Sequence, residues 1–272
     1  MEWLDALILG IVQGLTEYLP VSSSGHLEIF KEILGIDLPA DENLQFDVIV
    51  HAATVCSTIV VLWPMFRDLC RSFFTFKRDE NFYYVCKILV SCIPVGIVGV
   101  FFKSYVEQIF GSGLMVVGIC LCITAALLVF AHLSDIRASR MVASNVGHDI
   151  TWWDAIVIGI AQAVAVLPGL SRSGTTIATG IMLGTRRDKV ASFSFLMVII
   201  PILGEMLLDV EDMMEPGYAA STGALPLVVG FVAAFLVGCV ACAWMLNIVK
   251  KGKLWWFAVY CVIMGVVCML WQ

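Results

Sequence analysis

Two stretches of this chain, 149 positions apart, are copies of one another. "WLDALILGIVQ" (Trp3–Gln13) falls on "WWDAIVIGIAQ" (Trp152–Gln162), and without a gap "SSSG" (Ser22–Gly25) falls on "SRSG" (Ser171–Gly174). Nine of the 23 aligned positions are identical, among them Trp3, Asp5, Gln13, Ser22 and Ser24 with their partners. Unrelated apolar helices share Leu, Ile and Val by chance, but not Trp, Asp, Gln and Ser in register. The duplication is the tightest constraint on the fold, because the second half must reproduce whatever the first half builds.

The surroundings of the two copies are apolar. The 272 residues are 60% hydrophobic and only 14% charged, with a mean hydropathy of +0.95, where a soluble domain carries about 25% charged residues. A core cannot hide that much apolar surface, so most of it faces lipid. Six runs are long enough to span, which takes about 20 apolar residues: Asp47–Met65, Tyr84–Phe102, Leu114–Leu133, Val190–Val210, Leu225–Leu246 and Leu254–Trp271. The copied stretches, Trp3–Leu34 and Trp152–Leu183, are broken by Pro, Gly, Ser and charge. Each reads as two short helices meeting at a polar turn, a re-entrant hairpin, because irregular backbone at membrane depth needs cover from protein or a wet cavity.

Each half is then one hairpin followed by three spans. Three is odd, so the second half is inverted relative to the first. The expected fold is an all-α polytopic membrane protein with six transmembrane helices plus two re-entrant helical hairpins in an inverted-topology repeat. It is one membrane domain, residues 1–272, with halves at about 1–135 and 150–272. Basic residues give the orientation. Arg67, Arg71, Lys77, Arg78, Lys87, Arg137, Arg140, Arg186, Arg187, Lys189, Lys250, Lys251 and Lys253 fall on one side, 13 of the 16. Only Lys31 and Lys103 fall opposite, with the acidic loops "GIDLPADE" and "DVEDMMEP". Both termini are expected outside a plasma (inner) membrane. Glu2 and Asp5 stand where a signal peptide would carry basic residues, so no cleavable leader is read here. The net charge of −6 gives no basic face for nucleic acid. The ten cysteines lie mostly in apolar runs, where cysteine behaves as a small hydrophobe; the Cys239–Cys242 pair has no second pair or histidine to make a zinc site.

Inverted repeats place paired broken helices near the midplane, where the two turns would meet. One brings Gln13, Glu17, Ser22, Ser23, Ser24 and His26, the other Gln162, Ser171, Arg172, Ser173, Thr175 and Thr176. Ionisable groups at that depth are functional candidates by default, although Glu17 and Arg172 alone could simply pair to hold the hairpins together. The copies diverge where chemistry needs them to: Ser23 aligns with Arg172, and His26 with Thr175. A guanidinium offers a planar fork for phosphate oxygens, and hydroxyls and N–H groups at a helix start add neutral donors. Glu17 can hold a hard divalent cation, and His26 can serve Ser23 as base or acid. Phosphoryl transfer is the reaction such a set suits.

"GIVQGLTEYLPVSSSGH" and "PGLSRSGTT", followed by "ASFSFLMVIIP" (Ala191–Pro201), resemble the signature motifs of the undecaprenyl-diphosphate phosphatases of the bacitracin-resistance type, and the resemblance extends over essentially the whole chain. It implies metal-dependent (Mg2+ or Ca2+) hydrolysis of a C55 polyprenyl diphosphate to the monophosphate and inorganic phosphate, recycling a carrier lipid at a site open to the extracytoplasmic side. By the resemblance, Glu17 binds metal, Ser23 is the proposed nucleophile with His26 as acid–base partner, and Arg172 binds the diphosphate. Ser22 and Ser173 match its supporting hydroxyls, and Ser24, Ser171, Thr175 and Gln162 are further candidates for binding the substrate. Position 13 departs from the commoner glutamate, and Gln13 cannot supply a second negative metal ligand. Expected partners are the lipid substrate and the bilayer, with a homodimer left open. A polyprenyl-phosphate flippase or transporter using the same cavity is the rival reading, and phosphate release separates the two. His51 reads as a packed histidine. Glu205, inside a span, is placed either at the outer interface or at the site.

Overall fold

Helix α1 (Trp3–Thr16) begins with a reciprocal cap between Glu2 and Asp5. Its copy α7 (Trp152–Val164) begins the same way with Thr151 and Asp154, whose N–H bonds to the Thr151 hydroxyl at 3.1 Å. The duplicated Asp is therefore a capping residue. The structure is a computed structural model, which describes residues 1–102, 105, 113–141, 147–214 and 222–271; Lys103 and Glu215 lie outside them.

Both broken stretches form the two short helices expected of them. In the first, α1 is followed by a turn and α2 (Ser23–Leu34), which stops at Gly35 in the left-handed conformation. In the second, α7 leads to α8 (Arg172–Met182). The remaining helices are α3 (Ala40–Val61), α4 (Trp63–Phe74), α5 (Glu80–Phe101), α6 (Leu114–Met141), α9 (Arg187–Met197), α10 (Ile199–Met213), α11 (Ala224–Lys250) and α12 (Trp255–Leu270). Asp79 caps α5, and its carboxyl is held below the usual carboxylate range by the Ser72 hydroxyl and the Phe82 N–H.

Five stretches are long and apolar enough to span: Ala40–Val61, Glu80–Phe101, Leu114–Arg137, Arg187–Glu211 and Ala224–Lys250. The chain is thus an all-helical polytopic membrane protein among its described residues. Three details differ from the sequence reading. The first span starts seven residues before Asp47 and ends at Val61, with Pro64 in the first turn of the following α4. The fourth is interrupted at Val198, because Pro201 has no N–H for the Met197 carbonyl. The last is a helix of 16 residues, about 24 Å long, against about 30 Å of hydrocarbon.

The two halves pack reciprocally: α1 lies along α11, and α7 lies along α5. Gly10 permits the first contact, since a Cβ there would sit 2.5 Å from the Gly230 carbonyl oxygen. Gly159 permits the second, with Ser91 O at 2.4 Å from the same hypothetical atom. Trp3, Ile11, Trp152, Trp153 and Ile160 stay exposed on the outer faces, the pattern expected of helices whose solvent is lipid and its interface.

Candidate active site

Gln13 and Glu17 stand one turn apart at the end of α1, so they share a face; Gln13 Nε2 donates to Glu17 Oε2 at 3.0 Å. The chain then reverses to Ser22, which takes φ +70°, unusual for a residue with a side chain. Its Oγ accepts from the Gly25 N–H at 3.3 Å and caps α2. That turn delivers Ser23 to the carboxylate, and its Oγ donates to the same Glu17 Oε2 at 2.7 Å.

The second turn repeats the device. Gly169 adopts φ +85°, and Ser171 Oγ accepts from the Gly174 N–H at 3.0 Å. Ser22 and Ser24 lie 3.4 Å apart, as do Ser171 and Ser173. The duplicated Ser-x-Ser-Gly is thus first of all a helix cap. The two tips touch: Ser173 Oγ donates to the Leu19 carbonyl at 3.1 Å. Glycines allow the approach, because a Cβ on Gly174 would meet Pro20 at 3.0 Å and one on Gly25 would meet Gly169 Cα at 3.2 Å.

Beside this contact lies a cleft lined by Glu17 and Tyr18 from the first tip, Arg172, Ser173 and Thr176 from the second, and Thr54, Thr58 and Ser194 from α3 and α9. Arg172 Nη2 is 3.6 Å from Glu205 on α10, which places that glutamate at the site, while Nη1 is buried without a partner among the described residues. Ser194 Oγ is likewise unsatisfied among the described residues. Tyr18 donates to the Thr54 carbonyl at 2.7 Å and contacts the Thr58 hydroxyl at 2.8 Å. An anion entering here meets a guanidinium with donors to spare and several hydroxyls.

A hard cation also fits, as one of its partners. Glu17 Oε2 and the Ser23 hydroxyl are oxygen donors side by side, Gln13 turns its Nε2 to that carboxylate, and Gln13 Oε1 is buried with no partner among the described residues. Among the described residues no three His, Cys, Asp or Glu side chains converge. The site suits an ion such as Mg2+, held by one carboxylate and completed by water and substrate phosphate.

Not every candidate joins this group. His26 turns away from Ser23: its Nδ1–H donates to the Ser22 carbonyl at 2.8 Å, and Nε2 meets the Tyr260 hydroxyl at 2.7 Å. Gln162 and Thr175 are buried, do not line the cleft, and their amide and hydroxyl groups find no partner among the described residues. His51 donates to the Asp47 carbonyl at 2.8 Å and lies 4.0 Å from Glu17 Oε2, so it packs beside the carboxylate. Sequence reasoning missed Tyr18, Thr54, Thr58, Ser194 and Tyr260. Tyr18 stands next to Glu17 inside the first motif and Ser194 inside "ASFSFLMVIIP", while Thr54, Thr58 and Tyr260 are polar residues within apolar helices away from the motifs.

The chain matches the family described as bacitracin resistance protein BacA over residues 6–267. A protein of Parabacteroides distasonis named undecaprenyl-diphosphatase is 58% identical over 268 residues, covering 98% of this chain and 97% of the relative. One of the same name from Bacteroides thetaiotaomicron is 55% identical over the full length of both. Undecaprenyl-diphosphatase 3 of Bacillus anthracis is 36% identical over 98% of this chain and 97% of its own length.

Proposed function

The chain belongs to the bacitracin resistance protein BacA family, and from that premise we infer that it is an undecaprenyl-diphosphatase. It hydrolyses undecaprenyl diphosphate to undecaprenyl phosphate and inorganic phosphate, returning the carrier lipid to envelope synthesis. The observation that carries the location of the reaction is that Glu17 and Arg172, from opposite hairpins, line one cleft while Ser23 Oγ lies 2.7 Å from Glu17.

In this reading Arg172 binds the diphosphate and offsets the negative charge that spreads over the transferring group, and the hydroxyls of Ser173 and Thr176 join it by exchanging the Leu19 and Arg172 carbonyls for phosphate oxygens. Glu17 orients the Ser23 O–H so that a lone pair of Oγ faces the terminal phosphorus. The new O–P bond forms as the bridging P–O bond breaks, the lipid monophosphate leaves with the bridging oxygen, and the serine proton passes to Glu17. Water then cleaves the phosphoserine and releases inorganic phosphate. A divalent ion held at Glu17 and Gln13 Oε1 would supply charge neutralisation at the phosphate oxygens. Ser22 and Ser171 contribute by capping the helices that present their neighbours.

We place the cleft toward the extracytoplasmic side of the plasma membrane, with six crossings and two hairpins entering from opposite faces. Supporting this, Glu17 lies beside His51 near the middle of α3, and the N-terminal end of that helix holds Glu42 near the Met1 amino group. The reciprocal packing of α1 on α11 and α7 on α5 supports the inverted halves. Phosphate release from C55 diphosphate by purified protein tests the reading, with full activity expected in Mg2+ or Ca2+ and none in chelator. Undiminished release in chelator would remove the metal, and no release under any condition would remove the phosphatase and favour a carrier.

A further inference from the structure

The imidazole of His26 is fully engaged, and neither of its nitrogens faces Ser23. A carbonyl oxygen can only accept, so the contact with Ser22 O puts the proton on Nδ1. The Ser22 carbonyl then accepts twice, from Nδ1–H at 2.8 Å and from the His26 backbone N–H at 3.2 Å. In the neutral ring Nε2 is left as an acceptor, and the Tyr260 hydroxyl donates to it at 2.7 Å. The two rings are stacked, with centroids 5.6 Å apart and an interplanar angle of 17°. Tyr260 belongs to α12, outside both motifs, and the adjacent Cys261 reaches the same turn at the Pro20 carbonyl, 3.4 Å away. Ile8, Ile11, Val12, Leu15 and Phe30 line with the pair an apolar cavity of about 300 Å³.

This chain of contacts ends at the left-handed Ser22, whose conformation delivers Ser23 to Glu17. We propose that Tyr260 is a positioning residue of the reaction: its hydroxyl holds the Nδ1–H tautomer of His26 at Nε2, and His26 clamps the Ser22 carbonyl so that Ser23 is presented to Glu17. His26 thereby acts on the turn, through a donor, and transfers no proton to or from Ser23. The proposal rests on the phosphatase reading and assigns one of its parts.

Tyr260→Phe keeps the stacked ring and deletes only the hydroxyl. It should lower kcat about tenfold, the scale of one hydrogen bond to a working group, with KM within about twofold. In 15N-histidine spectra the His26 Nε2 resonance should shift as it loses its hydroxyl donor, while the proton stays on Nδ1. His26→Asn, whose amide N–H can replace Nδ1–H, should retain much more activity than His26→Ala, and Tyr260→Phe should add nothing in the His26→Asn background. Full kcat in Tyr260→Phe beside an inactive His26→Ala overturns the proposal and leaves the phosphatase standing. Equal inactivity of His26→Asn and His26→Ala overturns it in favour of proton transfer by His26. Wild-type protein that releases no phosphate overturns the phosphatase, and this proposal with it.

Discussion

Glu17 Oε2 is the atom on which the first tip converges, accepting from Gln13 and Ser23 together. Glu17→Gln removes both the charge and one acceptor, and should lower kcat by roughly two to three orders of magnitude, as for loss of a preorganised polar group in an active site. Gln13→Ala leaves the Ser23–Glu17 contact in place and should cost about tenfold or less. Steady-state phosphate release on the two variants checks this, and equal losses would refute separate roles. Arg172→Ala deletes the guanidinium and should also cost roughly two to three orders, about 3–4 kcal/mol of transition-state stabilisation. Arg172→Lys keeps the charge but not the fork and should recover only part of it. Membrane yield and helical signal should stay at wild-type levels, because the contact of Arg172 with Glu205 is long and that glutamate is half exposed. Loss of folded protein instead would make Arg172 a strut.

Among the elements, α1 and α7 show how the repeat is used. Gly10 and Gly159 are equivalent positions, and each admits the main chain of a partner helix, Gly230 in one case and Ser91 in the other. The obstacle to a methyl group is backbone, which a rotamer change cannot relieve. Gly10→Ala and Gly159→Ala should each destabilise by about 1–3 kcal/mol through overpacking, seen as a lower Tm in detergent. Gly96→Ala and Gly99→Ala in α5 meet nothing within 4 Å and should be neutral or stabilising by about 0.5–1 kcal/mol. Equal shifts at all four positions would show that close helix approach is not what these glycines provide. The identity of Gly10 with Gly159 was visible in the sequence, as were Asp5 with Asp154 and Ser22 with Ser171. Their purposes, close packing and capping, were not, because each depends on which backbone lies opposite.

Across the whole molecule, charge sorts to two ends. At one, Lys87 Nζ donates to the Ile150 carbonyl at 2.5 Å, Arg186 lies 3.6 Å from Asp149, Arg187 pairs with Asp135 and also packs against Gly252. At the other, the Met1 amino group is 3.9 Å from Glu42, Thr222 donates to Glu42 at 3.2 Å, and Lys31 is 3.7 Å from Asp47. In a background without reactive native cysteines, single cysteines at Lys77, Lys189 and Lys251 should label from the cytoplasm only, and one at Asp41 from outside only. A single position labelling from the wrong face would break the inverted arrangement.

The sequence alone determined the class of fold, the two broken hairpins, the internal copy and the family, because hydropathy, turn residues and repeated motifs are local properties of the chain. It also singled out Glu17, Ser23 and Arg172 as candidates, and the structure brings Glu17 against Ser23 and lines one cleft with Glu17 and Arg172. Only the tertiary structure decided which atoms meet. Glu17 rather than His26 holds the Ser23 hydroxyl, and Glu205 reaches Arg172 from α10. Tyr260 reaches His26 across 234 positions of sequence. A rotamer is chosen by the neighbours that surround it, and in a chain whose hairpins pack between distant helices those neighbours come from far along the sequence.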